Sequence, residues 1–229
     1  MKKYLIDRKK RRILKYGLLR RTEALIQQFQ QFRCPKSSLV LDIGTADGLI
    51  LCGLAGRCGL GRCIGLDVCF NYLKAAKENV PHVVQADGRY LPFCQKSIDV
   101  IVSTATFKHV RGLDRLLEEC HRVLKSGGKL VVTDPTPLGI RLGVLLRYFP
   151  RKDIAQILSL KDTQRMLTRC GFNVTYAGRF MLTPIPFSGC DSLERRLQRT
   201  RLDHLFFNQI ICAERSIDGS GARHLKSGF

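Results

Sequence analysis

Three aspartates in the first half of the 229-residue chain are its strongest candidates for chemistry. Asp42, Asp67 and Asp87 each stand at the end of a short apolar run of the kind that forms a buried parallel strand. The carboxyl ends of parallel strands lie at one edge of a sheet, where α/β folds bind their ligands. We therefore expect the three carboxylates to face a common ligand site.

A glycine-bearing turn follows Asp42 directly. Gly44 lets the chain turn sharply, and Gly48 lets the next helix pack closely against the strand. The position between them, often glycine in phosphate-binding loops, is Ala46, and Asp47 adds a negative charge. Both features disfavour a phosphate and suit a cationic amino-acid or sulfonium ligand. The turn on its own is equally consistent with a purely structural role.

The position of Asp67 favours the ligand-binding interpretation. It lies 19 residues beyond Gly48, at the tip of the second predicted strand. This is the spacing of the acidic residue whose carboxylate accepts both ribose hydroxyls in nucleotide-binding α/β folds.

The elements that position these residues alternate along the chain, which predicts an α/β fold with a largely parallel sheet. Strands are predicted at 39–43, 62–67, 82–86, 98–103, 129–134, 172–176 and 207–213. Helices are predicted at 48–57, 70–79, 112–125, 140–149, 161–171 and 193–205.

Five segments in this order resemble the class I S-adenosylmethionine-dependent methyltransferases, most nearly the small-molecule subgroup that includes ubiquinone- and menaquinone-type enzymes. They are 40–48, 65–67, 86–87, 98–102 and 122–128. The resemblance spans roughly 39–215 and implies a Rossmann-like, seven-stranded sheet with helices on both faces. Ala46 departs from the family pattern, as does Ser126, where the family usually has proline.

The resemblance implies S-adenosyl-L-methionine as the cofactor and assigns roles to matched positions. Asp42 and the backbone of 44–48 would hold the methionine portion, Asp67 the ribose hydroxyls and Asp87 the adenine amino group, with Ser103 beneath the transferring methyl group. The predicted cofactor contacts are Asp42, Gly44, Ala46, Gly48, Asp67, Val68, Ala86, Asp87, Gly88 and Ser103.

A general base is a separate question, because a sulfonium donor is already activated. His109 follows the fourth predicted strand near the expected mouth of the site and could deprotonate a phenol or a carbon acid. The other interpretation is that this histidine anchors its loop structurally. Tyr16, in the N-terminal segment, is a further candidate.

The chain carries a net charge of +20, which lies on its two flanks. Residues 40–138 hold 12 basic and 10 acidic residues, whereas 1–39 have a net charge of +10 and 139–229 of +8. Anionic lipid surfaces, nucleic acid and acidic small molecules are all compatible partners.

The flanks also set the predicted domain organisation. Residues 1–38 form a basic helical segment, either a capping helix docked on the domain or a lid whose basic face meets phosphates or a bilayer. Gly17 is expected to divide it into two helices. The methyltransferase domain follows at 39–215, with substrate-side insertions at about 135–152 and 182–205, and 216–229 is expected to be a flexible tail.

Ten cysteines are present without a Cys-x-x-Cys pair, so we expect buried thiols in a reducing cytoplasm and no bound metal. No apolar run is long enough to span a bilayer, and no signal peptide is evident. We expect a cytoplasmic protein with peripheral membrane contact as an option.

Three functions remain open on the sequence. The first is methyl transfer to a small or lipid-like acceptor at or near a membrane surface. The second is methylation of RNA at a ribose or ring position, because the fourth strand ends in 103–106, Ser-Thr-Ala-Thr, and lacks the Asn/Asp-Pro-Pro-aromatic motif used for exocyclic base amines. The third is a non-catalytic, cofactor-binding partner protein.

Overall fold

The strands lie in the order β3-β2-β1-β4-β5-β7-β6 in a computed structural model that describes residues 12–145, 151, 154–183, 190–197 and 200–216. Their bounds are β1 Leu39–Ile43, β2 Arg62–Asp67, β3 His82–Gln85, β4 Ile98–Thr104, β5 Leu124–Pro135, β6 Phe172–Phe180 and β7 Asn208–Arg215. The first five strands are parallel, and β7 runs antiparallel to both of its neighbours. The predicted α/β class with a seven-stranded sheet is confirmed.

Helices cover both faces of this sheet. Their bounds are α1 Arg12–Gln31, α2 Leu49–Cys58, α3 Phe70–Ala76, α4 Leu113–Val123, α5 Pro137–Leu145, α6 Leu160–Arg169 and α7 Cys190–Leu197. Short 3₁₀ turns lie at Phe107–His109 and Arg201–Leu205.

Alternation along the central strands divides the core between the two faces. Leu41 and Ile43 of β1 pack on the face covered by α4 and α6. Val40 packs on the opposite face, against α1 and α2. The central strands are therefore buried on both sides, as is usual for a parallel sheet.

The predicted break of the N-terminal segment at Gly17 is wrong, because α1 is one continuous helix from Arg12 to Gln31. A mid-helix glycine costs about 1 kcal/mol relative to alanine. The buried side chains of Leu25 and Phe29, packed against the sheet, outweigh that cost. The assignment of 1–38 as a lid stays a prediction, as do the other domain limits.

Two strands are longer than predicted, and one predicted helix is divided. β7 hydrogen-bonds to β5 as far as Pro135 and to β6 as far as Phe180, which extends both strands. Where one helix was predicted at 193–205, the described residues instead form the end of α7 and the second 3₁₀ turn. The remaining predicted ends differ from the observed ones by a few residues.

Some predictions lie outside the described residues. They concern the basic run at 2–11, the end of the apolar helix at 146–149, the loop at 184–189 and the tail from 217. In the part of the chain that the structure does describe, no helix combines the length and the hydropathy that a membrane span requires.

Candidate active site

The turn after β1 is fastened to the end of β2. The backbone N–H groups of Gly44 and Thr45 both donate to the carbonyl oxygen of Leu66, at 2.8 and 3.0 Å. Gly44 has a φ of +80°, and a Cβ atom there would lie 2.2 Å from Oγ1 of Thr106. Glycine is therefore required at this position both by its backbone conformation and by the close approach of the segment after β4.

Gly48 also requires its small size, although its neighbour is not the one expected from the sequence. Its φ is +73°, and a Cβ atom would lie 2.7 Å from Cγ2 of Val80 and 3.4 Å from the carbonyl oxygen of Ala76. Gly48 therefore allows close packing against the end of α3, not against β1.

Asp67 joins the two loops that follow β1 and β2. Its Oδ2 accepts the N–H of Ala46 at 3.0 Å, and its Oδ1 accepts the N–H of Cys69 at 2.9 Å. Ala46 has a φ of +53°, which is uncommon for a residue other than glycine and which the bond to Asp67 helps to hold. These two hydrogen bonds fix the orientation of the carboxylate.

Asp42 and Ser103 lie on adjacent strands close to the same edge. Asp42 is buried in β1, paired in register with Val102 of β4. Ser103 is also buried, and its hydroxyl donates to the carbonyl oxygen of Ile43 at 3.1 Å. Ser103 therefore holds β4 to the end of β1, and its predicted place beneath the methyl group stays a prediction.

Asp87 is engaged by a neighbouring arginine. Nε of Arg89 lies 3.0 Å from Oδ1 of Asp87, and Nη2 lies 2.6 Å from Oδ2. These hydrogen bonds lower the pKa of Asp87 despite its partial burial. Tyr90, three residues after Asp87, is exposed, and so is Val68, the residue that follows Asp67, at 68% exposure; the predicted contact of Val68 with the cofactor stays a prediction.

Ala86 and Gly88 flank this aspartate and connect it to the rest of the site. The N–H of Ala86 donates to the carbonyl oxygen of Asp67 at 3.3 Å. A Cβ atom on Gly88 would lie 3.0 Å from Cδ1 of Leu116 and 3.2 Å from Cγ2 of Ile43. Gly88 therefore permits the segment after β3 to pack beside the end of β1.

The two proposed bases differ in their surroundings. His109 is exposed at the end of its 3₁₀ turn, where its N–H donates to the carbonyl oxygen of Thr106. The hydroxyl of Tyr16 accepts a bond from Nη1 of Arg20 at 3.2 Å, and burial raises the pKa of Tyr16. A raised pKa makes this phenol a poorer base at neutral pH. The role of His109 stays a prediction.

The residue before His109 points inward, to a pair that the sequence analysis did not identify. Lys108 is buried, and its Nζ lies 3.7 Å from Oδ1 of Asp134 near the end of β5. Burial raises the pKa of Asp134, and the positive charges of Lys108 and Arg21 oppose that rise. The available signal was that Asp134 closes an apolar run, as Asp42 and Asp67 do.

A small cavity lies beside this pair, between β5, β7, α5 and α6. Its walls are mainly apolar, including Phe107, Ile140 and Leu158, and its polar lining comes from Lys108, Asp134, Thr163 and Gln209. It has room for about one water molecule.

The N-terminal helix is held by side-chain contacts to α7 and β7. Nη2 of Arg20 lies 2.6 Å from Oε1 of the buried Glu194, which also accepts the N–H of Met181 at 2.9 Å. Nη2 of Arg21 lies 3.2 Å from Oδ1 of Asn208, the residue of β7 that pairs with the last residue of β5. α1 therefore reaches the edge of the sheet that holds Asp134.

All ten cysteines fall in the described residues and are free thiols. Cys63, Cys120 and Cys212 are buried, as predicted, and Cys52 is exposed. Burial, and then the charge of Asp42, raises the pKa of Cys63 to about 11. Among the residues with described positions, no group of three or more His, Cys, Asp and Glu side chains is arranged to hold a metal ion.

The strand order, the glycine turn after β1 and the acidic residue ending β2 define the class I methyltransferase fold. A solved S-adenosylmethionine-dependent methyltransferase from Mesorhizobium loti superimposes with a TM-score of 0.64, covering 84% of this chain and 96% of that one. The sequence identity is 19%, so this likeness concerns the fold.

Residues 41–132 match the family described as "Methyltransferase domain", and this segment holds most of β1, all of β2 to β4 and most of β5. Malonyl-[acyl-carrier protein] O-methyltransferase 1 of Coxiella burnetii is 35% identical over 98 residues, covering 43% of this chain and 34% of the relative. The human mitochondrial arginine-hydroxylase NDUFAF5 is 30% identical over 164 residues, covering 63% and 47%. The chain therefore spans about a third to a half of the length of these relatives.

Proposed function

We propose that this chain is an S-adenosylmethionine-dependent methyltransferase that acts on a small or lipid-like acceptor. The observation that carries the proposal is the position of Asp67. Its carboxylate stands at the tip of β2, fixed by one backbone donor from each adjacent loop. A ligand with neighbouring hydroxyl groups would find a rigid, charged acceptor there.

The surrounding residues fit this cofactor better than a phosphate-bearing one. Asp42, Asp47 and Asp67 are all buried close to the turn after β1, and such a concentration of carboxylates favours a cationic sulfonium. Asp47 lies at the N-terminus of α2, where a phosphate would otherwise be attracted. Exposed Val68, next to Asp67, would cover the adenine.

Bound there, S-adenosylmethionine would supply an activated methyl group, which leaves alignment and the exclusion of water to the protein. Ser103 and Thr106 both donate to the carbonyl oxygen of Ile43 and thereby hold the segment after β4 against the turn at 44–48, which we call the donor loop. Arg20 and Arg21 hold α1 near the neighbouring edge of the sheet.

Calorimetry with S-adenosylmethionine and S-adenosylhomocysteine tests the donor site. We expect one ligand per chain, and we expect Asp67→Ala to weaken binding by about 3 kcal/mol because two hydroxyls lose a charged acceptor. Asp99→Asn is the matched control, since Asp99 accepts the N–H of Leu39 at 2.8 Å at the opposite edge of the sheet. Wild-type affinity in Asp67→Ala would remove Asp67 from the site, and no binding by the wild type would refute the proposal.

The surface near the Arg20–Glu194 contact supports a lipid-like acceptor and peripheral contact with an anionic membrane. Leu19 of α1 is 52% exposed, and Leu193, next to Glu194, is also exposed. Exposed basic residues accompany these leucines: Lys15, Arg195 and Arg196. A bilayer with anionic lipid uses both components, because it receives apolar side chains and attracts basic ones.

The net charge of +20 also supports a second candidate, methylation of RNA at a ribose or ring position. Transfer of a labelled methyl group to lipid, RNA and small-molecule fractions separates the two candidates. The same screen tests methyl transfer itself, because the human relative is named for hydroxylation. Cofactor binding without transfer to any fraction would favour the non-catalytic alternative.

A further inference from the structure

We propose that the cavity beside Asp134 receives the reactive group of the methyl acceptor, and that this group is a donor of N–H or O–H hydrogen bonds and not a carboxylate. Amines, amides and hydroxyl compounds share this chemistry. The inference rests on the proposed function and narrows it to a class of acceptor.

The first argument is the set of unsatisfied atoms in the cavity. Both carboxylate oxygens of Asp134 and Oε1 of Gln209 are buried without a hydrogen bond of normal geometry within the described part of the chain, although the backbone N–H groups of Phe107 and Lys108 lie close enough to lower the pKa of Asp134. Nε2 of Gln209 already donates to the carbonyl oxygen of Leu158 at 3.1 Å, which fixes the amide. All three unsatisfied atoms are acceptors, so the group that completes the site has to donate.

The second argument is electrostatic. Nζ of Lys108 donates to the carbonyl oxygen of Ala105 and stays 3.7 Å from Asp134, beyond a direct hydrogen bond. The two opposite charges largely cancel, so the pair leaves room for a neutral donor. A carboxylate would bring a second negative charge to Asp134 and no proton for Gln209, and its burial there is unfavourable.

The third argument is location. Thr106 contacts the position of Gly44 in the donor loop, and only two residues later Lys108 reaches Asp134. One short segment, 106–108, therefore connects the donor loop to the cavity. Its apolar walls limit access of water, and its small size admits only the reactive group of a larger acceptor.

Asp134 then has a proton to accept. When the acceptor's oxygen or nitrogen forms its bond to the methyl carbon, the electron pair of the broken carbon–sulfur bond stays on sulfur. The acceptor atom releases one proton, which Asp134 takes up. Burial raises the pKa of Asp134, which makes its carboxylate a better base for this step.

Three probes that differ only in their head group test the proposal: para-butylphenol, para-butylaniline and para-butylbenzoate. Their affinities are measured by calorimetry with the full chain saturated with S-adenosylhomocysteine. We expect the phenol and the aniline to bind at least about tenfold more tightly than the benzoate, because the unsatisfied polar atoms of the cavity are acceptors and a ligand without a donor leaves them unsatisfied.

Two variants assign that preference to the cavity. Asp134→Asn and Gln209→Leu should each reduce it by about tenfold and leave S-adenosylhomocysteine binding unchanged. Asp114→Asn, the same change at an exposed site on α4, should keep the preference. Melting temperatures verify that each variant is folded, and Gln209→Leu tests the cavity if Asp134→Asn fails to fold.

The proposal is overturned if the benzoate binds as tightly as the other probes, if none of the probes binds, or if both variants keep the preference. In those outcomes the cavity holds a structural water only. Intact S-adenosylhomocysteine binding alongside such a result leaves the proposed methyltransferase function standing. If the wild-type chain does not bind S-adenosylhomocysteine at all, the proposed methyltransferase function itself is contradicted.

Discussion

At the scale of single residues, the donor loop depends on Gly44. We expect Gly44→Ala to abolish measurable S-adenosylhomocysteine binding in calorimetry and to lower the melting temperature. A φ of +80° costs a residue with a Cβ atom about 1–2 kcal/mol, and the overlap with Oγ1 of Thr106 at 2.2 Å adds a further 1–3 kcal/mol, roughly. Wild-type binding by Gly44→Ala would show that the loop tolerates a different conformation.

Gly56→Ala is the control for that substitution. Gly56 lies inside α2, and a Cβ atom there would have no neighbour within 4 Å. We expect unchanged ligand binding and a melting temperature equal to or above that of the wild type, because alanine is the better helix former by about 1 kcal/mol. Combining Gly44→Ala with Thr106→Ala should recover part of the lost stability, since it removes the overlap and leaves the backbone strain.

The sequence predicts the residues at strand ends better than the residues in turns. Asp42 and Asp67 could be placed because an apolar run that ends in a carboxylate has one interpretation in a parallel sheet. The inward direction of Lys108, in contrast to exposed His109, depends on how a three-residue 3₁₀ turn meets β5. No periodicity in the sequence carries that information, so the Lys108–Asp134 pair became evident only in the structure.

At the scale of elements, a buried carboxylate clamps the segment before β4 to α4. Oε2 of Glu119 accepts the N–H of Leu91 at 2.8 Å, and Oε1 accepts Nε of Arg122 at 2.8 Å. Arg122 also donates to the carbonyl oxygens of Leu91 and Phe93, at 2.9 Å each. This network links the motif at 122–128 to the segment that follows Asp87.

We expect Glu119→Gln to lower the free energy of unfolding by about 2 kcal/mol, a value reduced for the solvent exposure of Arg122. Urea denaturation measures it. Glu118→Gln, at the exposed neighbouring position, should stay within about 0.5 kcal/mol of the wild type. Equal effects of the two substitutions would show that burial of the network contributes nothing.

The same network predicts a dependence on pH. The hydrogen bonds from Arg122 hold the pKa of Glu119 below its ordinary value of 4.5. A lowered pKa in the folded state stabilises the fold above the unfolded value, and this contribution is lost as pH falls through the folded value. The difference in unfolding free energy between the wild type and Glu119→Gln should be constant near neutral pH and shrink below 4.5. A difference that does not change on acidification would contradict this assignment.

Errors in the predicted elements have a common physical origin, which is tertiary contact. α1 continues through Gly17 because Leu25 and Phe29 are buried further along the same helix. β5 begins at Leu124, five residues before its predicted start, because Leu124 pairs with Ile98 ahead of an irregularity in the β4–β5 ladder. Local sequence preference cannot report either contact.

At the scale of the whole molecule, the excess positive charge is partly used inside the fold. Arg20 is paired with Glu194, and Arg21 is bound to Asn208, so both are directed toward the sheet edge. Exposed Lys15, Arg195 and Arg196 remain beside Leu19 and Leu193. A surface that binds an anionic membrane uses both the basic and the apolar side chains. A surface that binds nucleic acid needs the positive charge and, apart from aromatic residues that stack on bases, has no use for exposed leucines.

We therefore expect the protein to bind vesicles with about 30 mol% anionic lipid, and added salt to weaken that binding, because each basic residue near the surface contributes about 1 kcal/mol. In flotation assays, Arg195→Glu with Arg196→Glu should reduce binding, and deletion of residues 1–12 should reduce it without abolishing cofactor binding. Arg165→Glu with Arg169→Glu, an equal charge change on exposed positions of α6, is the control and should have a smaller effect.

Leu19→Asp should weaken binding to vesicles more than binding to RNA. If the protein ignores such vesicles yet retains structured RNA at physiological salt, the membrane proposal is wrong and the RNA candidate replaces it.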